Sequence, residues 1–412
     1  MGTVNRTHDA WSCAWPAQRG RIAHRAGCDQ RQHSRPPAVV NEDRSSRYHR
    51  LKRRATVASL TWTTALLMVL SGTGASRAMR DAAERAAGSA PKDAVVASLI
   101  AVAVYTVLLT LCHEAGSLVT SAYGFELERR YGLAAQPWRG WFVDQMKGLA
   151  LLVIFGIGAA EIIYAFIRSM PGMWWWPAGG VFTLLIVGLA NLGPVLLMPL
   201  FYVVKPIERD ALRARLLALA SRAGATVLGV YEWGLGNETR KANAALAGLG
   251  GTRRILVSDT MLSEYSDDEI EVVLAHELAH HVHGDIWKGL AFEGTLMLAG
   301  FFAASRVLPV VVLPLGLRDV SDVAGLPVLL LVAGALSLVL MPVAHAMSRA
   351  HERRADRFAI QLTKNPEAFV SAMRRLGAQN LAEEAPSRLV QWLFYSHPPF
   401  AERIEAARRL RP

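Results

Sequence analysis

Cysteine is scarce in this 412-residue chain, with three residues at positions 13, 28 and 112. They neither pair evenly nor fall at metal-ligand spacing, which argues against a disulfide framework and against a thiolate metal site. Any transition metal here must be held by imidazole and carboxylate. Charge is scarce as well: 19% of residues are Asp, Glu, Lys or Arg against 52% hydrophobic ones, and mean hydropathy is +0.23. That balance disfavours a set of soluble domains and favours a membrane protein. Acids are the scarcer sign, leaving a net charge of +11. In a soluble chain such a surplus would suggest nucleic acid, but the first 55 residues alone hold twelve Arg and Lys against four acids. A basic block before an apolar span reads instead as a cytoplasmic retention signal, so no nucleic-acid partner is expected. Residues 1–54 carry no helical or alternating apolar period and are expected to form a disordered basic segment.

Long apolar runs are what the chain does have. Stretches long enough to cross about 30 Å of hydrocarbon as a helix occur at 55–76 and 94–112. Further candidates lie at 148–167, 176–204, 289–317 and 324–347, each carrying some Gly, Pro or a single charge. The expectation is a mostly α-helical multi-pass membrane protein with about six spans. An inside amino terminus places 113–147, 205–288 and 348–412 on the cytoplasmic side. The loop 77–93, with Arg77, Arg80, Arg85 and Lys92, is the misfit to this alternation. Two spans separate 205–288 from 348–412, so groups in those two segments emerge on one face and can meet. Glu161, Glu293 and Arg306 fall within spans, where an ionised group is costly unless it faces protein or water.

Ser266 followed by Asp267, Asp268 and Glu269 reads as a helix start, the Ser hydroxyl accepting a backbone N–H and Glu269 returning a bond three residues on. A helix over about 267–283 puts His276 and His280 on one face, four residues apart, with Glu277 next to the first. Two imidazoles and a carboxylate can hold one zinc ion with a fourth position open for water, and Glu277 is then the candidate general base. Two histidines at helical spacing also occur by coincidence on solvated faces, so a third ligand is needed. Downstream, His351, Glu352 and Asp356 continue helically from the last span, with Glu352 and Asp356 one turn apart on one face. This stretch is equally a surface helix with i,i+4 charge pairs, given the arginines around it. His281 points about 100° away from His280; His283 returns to the face of His276 but nearly two turns along, a supporting or substrate-facing position; His351 competes with Glu352.

The segments His276-Glu277-Leu278-Ala279-His280 and Glu352-Arg353-Arg354-Ala355-Asp356 match, in order, the zinc motifs of the CAAX prenyl endopeptidases of the sterile-24 type. Phe125 to Leu133, Trp141 to Lys147 and Pro199-Leu200-Phe201 resemble other parts of that family, and the likeness runs from roughly 60 to 412. More loosely, the chain is similar to the HtpX membrane proteases. The resemblance implies a gluzincin-type metalloprotease domain with a small β-sheet, one Zn²⁺ per chain on His276, His280 and Glu352, and catalytic roles for Glu277, Asp356 and His397. It selects Glu352 over His351. Asp356 would fix the tautomer of a ligand histidine, and His397, in Ser396-His397-Pro398-Pro399, would face the scissile carbonyl with Arg403 organising the site. Lys241-Ala242-Asn243-Ala244 resembles the family's edge strand, on which an extended substrate pairs as an added strand. Asn243, Ala244 and Arg403 are therefore the expected substrate-binding residues. Independently, Ile255-Leu256-Val257 after two glycines reads as a short strand.

The expected organisation is 1–54 as above, a membrane region 55–204 with inner loop 113–147, and a zinc peptidase domain 205–412 interrupted by spans 289–317 and 324–347. The expected partners are a peptide or protein substrate, membrane-associated or lipidated, and the lipid bilayer of a cell membrane. The Ala- and Arg-rich composition suggests a bacterial source. The alternatives are an HtpX-like quality-control protease without prenyl specificity and a non-catalytic membrane protein with a structural zinc site. Glu277 discriminates between hydrolysis and the latter, since a structural site has no use for it.

Overall fold

The computed structural model describes residues 40–88 and 93–410. Of the segment 1–54, residues 1–39 lie outside the described residues, whereas helix α1, Val40–Gly72, already includes residues 40–54. The expected disorder is therefore corrected for that part: with no Gly or Pro between Val40 and Gly72, nothing stops the helix before its apolar run begins. After α1 come the short α2, Ala75–Gly88, and the long α3, Ala94–Arg130, whose first turn is capped by the Asp93 side chain accepting from Val95 N at 2.9 Å. Helices α4, Trp138–Ser169, and α5, Trp175–Leu196, complete the amino-terminal half. The inner loop expected at 113–147 is mostly helical, because α3 runs on until Gly132, at φ 74°, and α4 begins directly after Pro137.

The carboxy-terminal half opens with a four-stranded sheet of order β1-β2-β4-β3. Strand β1, Val204–Pro206, is antiparallel to β2, Val230–Trp233; β2 is parallel to β4, Arg254–Ser258; and β3, Ala244–Ala247, is antiparallel to β4. The strand expected at 255–257 is β4, and β3 is an edge. Helix α6, Asp210–Arg222, the short α7, Asp259–Glu264, and α8, Asp267–Val282, pack with this sheet. Leu212, Leu216 and Leu219 from α6, Ile255 and Val257 from β4, Ile270, Leu274 and Leu278 from α8 and Phe369 form one buried core. Helix α9, Asp285–Val311, and α10, Leu326–Thr363, follow, then α11, Pro366–Gln379, α12, Arg388–Phe394, and α13, Phe400–Arg409.

Among the described residues six helices, α1, α3, α4, α5, α9 and α10, are long and apolar enough to cross a membrane. Their packed centre buries Tyr105, Tyr164, Ile167 and Trp174. Near one end of this cluster, Ser76 Oγ lies 2.5 Å from Tyr105 Oη and Arg80 donates to Asp322 Oδ2 at 2.5 Å. Arg80 thus has a carboxylate partner, which reduces the cost of the positive loop that conflicted with the sequence topology. Glu293 and Arg306 are exposed on the helix bundle, Arg306 lying over the Phe302 ring. Glu161 has one carboxylate oxygen buried without a hydrogen-bond partner.

Candidate metal centre

Helix α8 starts as its sequence dictates. Ser266 Oγ accepts from Glu269 N at 3.3 Å, and Glu269 Oε2 accepts from Ser266 N at 2.9 Å. Nearly every residue from Ile270 to Ala279 is buried, so the helix lies inside the carboxy-terminal core and His276 is held out of solvent. It ends where Gly284 takes φ 65°, turning the chain directly into α9. Helix α10, 38 residues long, carries Glu352 out of its apolar stretch to lie against α8.

One nitrogen each from His276 and His280 and one oxygen of Glu352 lie within 4.8 Å of one another. His276 Nε2 is 3.3 Å from Glu352 Oε2 and His280 Nε2 is 3.4 Å from Glu352 Oε1. The two imidazole rings stand nearly perpendicular, at 86°, with centroids 5.0 Å apart. Each Nδ1 faces a carboxylate: His276 Nδ1 is 2.9 Å from Asp356 Oδ1, and His280 Nδ1 is 3.1 Å from Asp285 Oδ2. An Nδ1–H donated to a carboxylate leaves Nε2 as the lone-pair donor, the arrangement of metal-bound histidines. Glu352 Oε2 is buried yet accepts no well-angled hydrogen bond. Two imidazole nitrogens oriented by carboxylates and one Glu352 oxygen, three donors in all, fit a divalent cation of borderline softness. The electrostatics agree: burial opposes a charge on His276, yet Asp356 and Glu352 outweigh it and raise its pKa to about 9. The cluster attracts positive charge even as a proton.

Glu277, between the two histidines, has its carboxyl pushed up by burial, with both imidazoles opposing the shift. It forms no hydrogen bond or salt bridge among the described residues. His397, in the turn between α12 and α13, is exposed and brings Nδ1 to 2.9 Å from Glu352 Oε2. Its ring therefore lies at the open side of the cluster. Arg403 on α13 is placed otherwise than expected. Its guanidinium is buried, donating to Asp356 from Nε at 2.9 Å and from Nη2 at 2.6 Å, so it lies behind the His–His–Glu cluster and away from solvent. The expectation that it binds substrate gives way to one in which it neutralises and orients Asp356. Asp356 is likewise a buried partner of His276 and does not face the open side.

Asn243 precedes β3 with its side chain exposed, while its backbone is spent on β4: Asn243 O accepts from Ser258 N at 2.9 Å and Asn243 N donates to Ser258 Oγ at 3.0 Å. By antiparallel alternation the backbone groups of Ala244 and Leu246 then face away from β4, along the open edge. His351, the competitor of Glu352, is 3.8 Å from Asp285 and outside the cluster. His283 caps α8, its ring edge-on to Phe358 and Nδ1 2.8 Å from Ala279 O, and His281 lies against Arg253. Sequence reasoning missed Asp285. The available signal was a carboxylate five residues after His280, just past a glycine that reverses the chain.

Residues 206–411 match peptidase family M48, and residues 37–203 match the family described as the CAAX prenyl protease N-terminal, five membrane helices. Here one of the five helices in that region, α2, has 14 residues and is too short to cross a bilayer. The chain is 29% identical over 309 residues to an uncharacterized metalloprotease, YhfN, of Bacillus subtilis, covering 74% of this chain and 72% of that one. It is 26% identical to CAAX prenyl protease 1 of Saccharomyces cerevisiae, covering 68% and 66%. A Protease HtpX homolog of Streptococcus pneumoniae is 28% identical, over 41% of this chain and 60% of its own. The crystal structure of S. mikatae Ste24p superposes with a TM-score of 0.78 at 23% identity, covering 89% of this chain and 88% of that one, a shared fold.

Proposed function

The chain belongs to peptidase family M48, a membrane metallopeptidase, and from that premise we propose that His276, His280 and Glu352 hold a single zinc ion at which Glu277 drives hydrolysis of peptide bonds. Bound there, the metal supplies Lewis-acid activation of water and of the peptide carbonyl. The remaining work falls to side chains. Glu277, whose carboxyl is raised by burial, takes a proton from the attacking water and returns it to the leaving amine. Asp356 and Asp285 fix the tautomers of His276 and His280, and Arg403 holds Asp356 charged in a buried setting. His397, at the open side, donates to the oxygen that gains charge as the carbonyl is attacked. An extended peptide pairs with the outward backbone groups of Ala244 and Leu246, with the Asn243 side chain on its main chain.

The single observation that carries this reading is the convergence of two oriented imidazoles and the Glu352 carboxylate beside Glu277, a carboxylate with no hydrogen-bond partner of its own among the described residues. A structural site would not place Glu277 there unpaired. The substrate proposed is a membrane-anchored protein cleaved in an extended segment on the cytoplasmic side, with a prenylated carboxy terminus as the first candidate. Support for that choice is that the match to the CAAX prenyl protease N-terminal family spans 37–203, whereas the HtpX homolog aligns over 41% of the chain.

The test is cleavage of quenched fluorescent peptides, prenylated and plain, by detergent-purified full chain and by Glu277→Gln, with zinc quantified in both. The expected result is activity abolished by chelation and restored by zinc, and a loss of at least about 10²-fold in the variant with about one zinc retained. Zinc in both preparations with cleavage in neither would leave a structural metal site as the better account.

A further inference from the structure

The part of α1 that precedes its apolar run has no role in the reading above, yet it touches both sides of the candidate site. Residues 48 and 52 lie one turn apart on one helix stripe, and residues 49 and 53 on a second stripe about 100° around the axis. The first stripe meets the side of the edge strand. Tyr48 Oη and Lys52 Nζ donate to Glu128 Oε1 at 3.2 and 3.4 Å, and Lys241 Nζ donates to the same oxygen at 2.7 Å. Lys241 lies two residues before Asn243.

The second stripe meets the side of His397. The His49 ring bonds Leu381 O at 2.9 Å. Leu381 has φ 51°, a left-handed conformation that a branched L-residue adopts only when its surroundings hold it there. Its side chain is buried with Tyr48, Leu127 and Leu133. One turn further, Arg53 donates to Glu383 from Nη1 at 2.5 Å and from Nη2 at 3.4 Å, and to Tyr395 Oη at 3.3 Å. Tyr395 Oη donates to Glu383 Oε2 at 2.5 Å. The backbone of the same segment is tied to α10, for Arg349 Nη1 donates to Gln391 O at 3.1 Å and Tyr395 O at 2.6 Å. Tyr395 is two residues from His397, and Arg349 is three residues from Glu352.

We propose that residues 48–53 of α1 form a brace across the cleft, in which Arg53, through Glu383 and Tyr395, is a positioning residue for His397. His397 is itself exposed, with Glu352 as a polar partner at 2.9 Å, so its aim depends on the segment that carries it. The fastening is over-determined in the way a positioned catalytic group requires: side-chain bonds from α1, bonds from the Arg349 side chain of α10 to main-chain carbonyls of the segment, and a carboxylate, Glu383, that is shared between Arg53 and Tyr395. The other stripe makes the device two-sided. The helix that aims His397 also anchors, through Glu128 and Lys241, the approach to the edge strand on which substrate would lie, and so sets the spacing between the two. This inference rests on the proposed role of His397.

The experiment uses the full chain in detergent with a quenched peptide, comparing wild type, Arg53→Ala, His397→Ala, the double variant, and the exchange Arg53→Glu with Glu383→Arg. The expected result is a fall in kcat of about tenfold for Arg53→Ala with KM and zinc content unchanged. In the His397→Ala background, Arg53→Ala should cost less than about twofold more, because a residue acting through His397 has nothing left to position. The exchange variant should recover most of the loss, which guards against a simple folding defect. Additive losses, or a loss of zinc in step with activity, would overturn the brace while leaving His397 in its role. Full activity in His397→Ala would overturn both, and the Glu277→Gln result would still decide the metallopeptidase reading separately.

Discussion

Replacing Asp356 by Asn separates the two duties proposed for that carboxylate. Asp356 Oδ1 faces His276 Nδ1 at 2.9 Å and Arg403 Nη2 at 2.6 Å, and Oδ2 accepts from Arg403 Nε at 2.9 Å. Every contact on the carboxylate is thus with a donor. Asn offers a single acceptor oxygen: placed at Oδ1 it turns its amide onto Arg403 Nε–H, and flipped it turns the amide onto His276 and Arg403 together. In either case the buried guanidinium loses its two-pronged carboxylate partner, keeping only Glu352 Oε2 at 3.8 Å, and removing one partner of a buried ion pair costs about 3–5 kcal/mol. Loss of a carboxylate that orients a ligand histidine weakens metal binding about 10–100-fold, or roughly 1.4–2.8 kcal/mol. The variant Asp356→Leu with Arg403→Met removes both charges, so stability should return to within about 2 kcal/mol of wild type while the metal affinity stays low. Zinc affinity is read by competition with a chromophoric chelator, and stability by the half-life of thermal inactivation in detergent. Zinc binding by Asp356→Asn within about twofold of wild type would refute the orienting role. Recovery of both properties in the double variant would show that Asp356 acts through charge balance alone.

Asp285→Ala leaves His280 Nδ1 without its acceptor at 3.1 Å and strips Arg354 and Lys288 of a shared carboxylate; activity should then need about tenfold more zinc, with kcat recovered at saturation, as read by zinc titration of the cleavage rate. Leu246→Pro removes an outward N–H from the open edge of β3 without touching the ladder to β4; kcat/KM for an extended peptide should fall up to about tenfold, the worth of one backbone hydrogen bond, with zinc content unchanged. Ser266→Ala removes the cap of α8 and should cost about 1 kcal/mol of stability in thermal unfolding, with no change in zinc affinity.

The amino-acid sequence alone carried the class of the fold and the residues that converge at the candidate site. His276, Glu277 and His280 were legible because helical periodicity fixes which side chains share a face, and the Ser266–Glu269 capping box announced where that helix begins. The membrane helices were legible because hydrocarbon thickness demands long apolar runs. Their ends were not: hydropathy sees only the lipid-facing part, whereas α1 begins well before it, and α3 and α10 continue beyond it until a glycine or a left-handed residue stops them. What only the tertiary structure decided were pairings across long chain separations. Asp285 with His280 and Arg354, Arg403 with Asp356, and Arg53 with Glu383 each look like ordinary surface charge in a local window. A guanidinium near a site can face substrate or stand behind the residues that form it, and local periodicity carries no information on which. Burial decides it, because a charge removed from water must find its partner inside the fold, and the fold alone sets which partner is within reach.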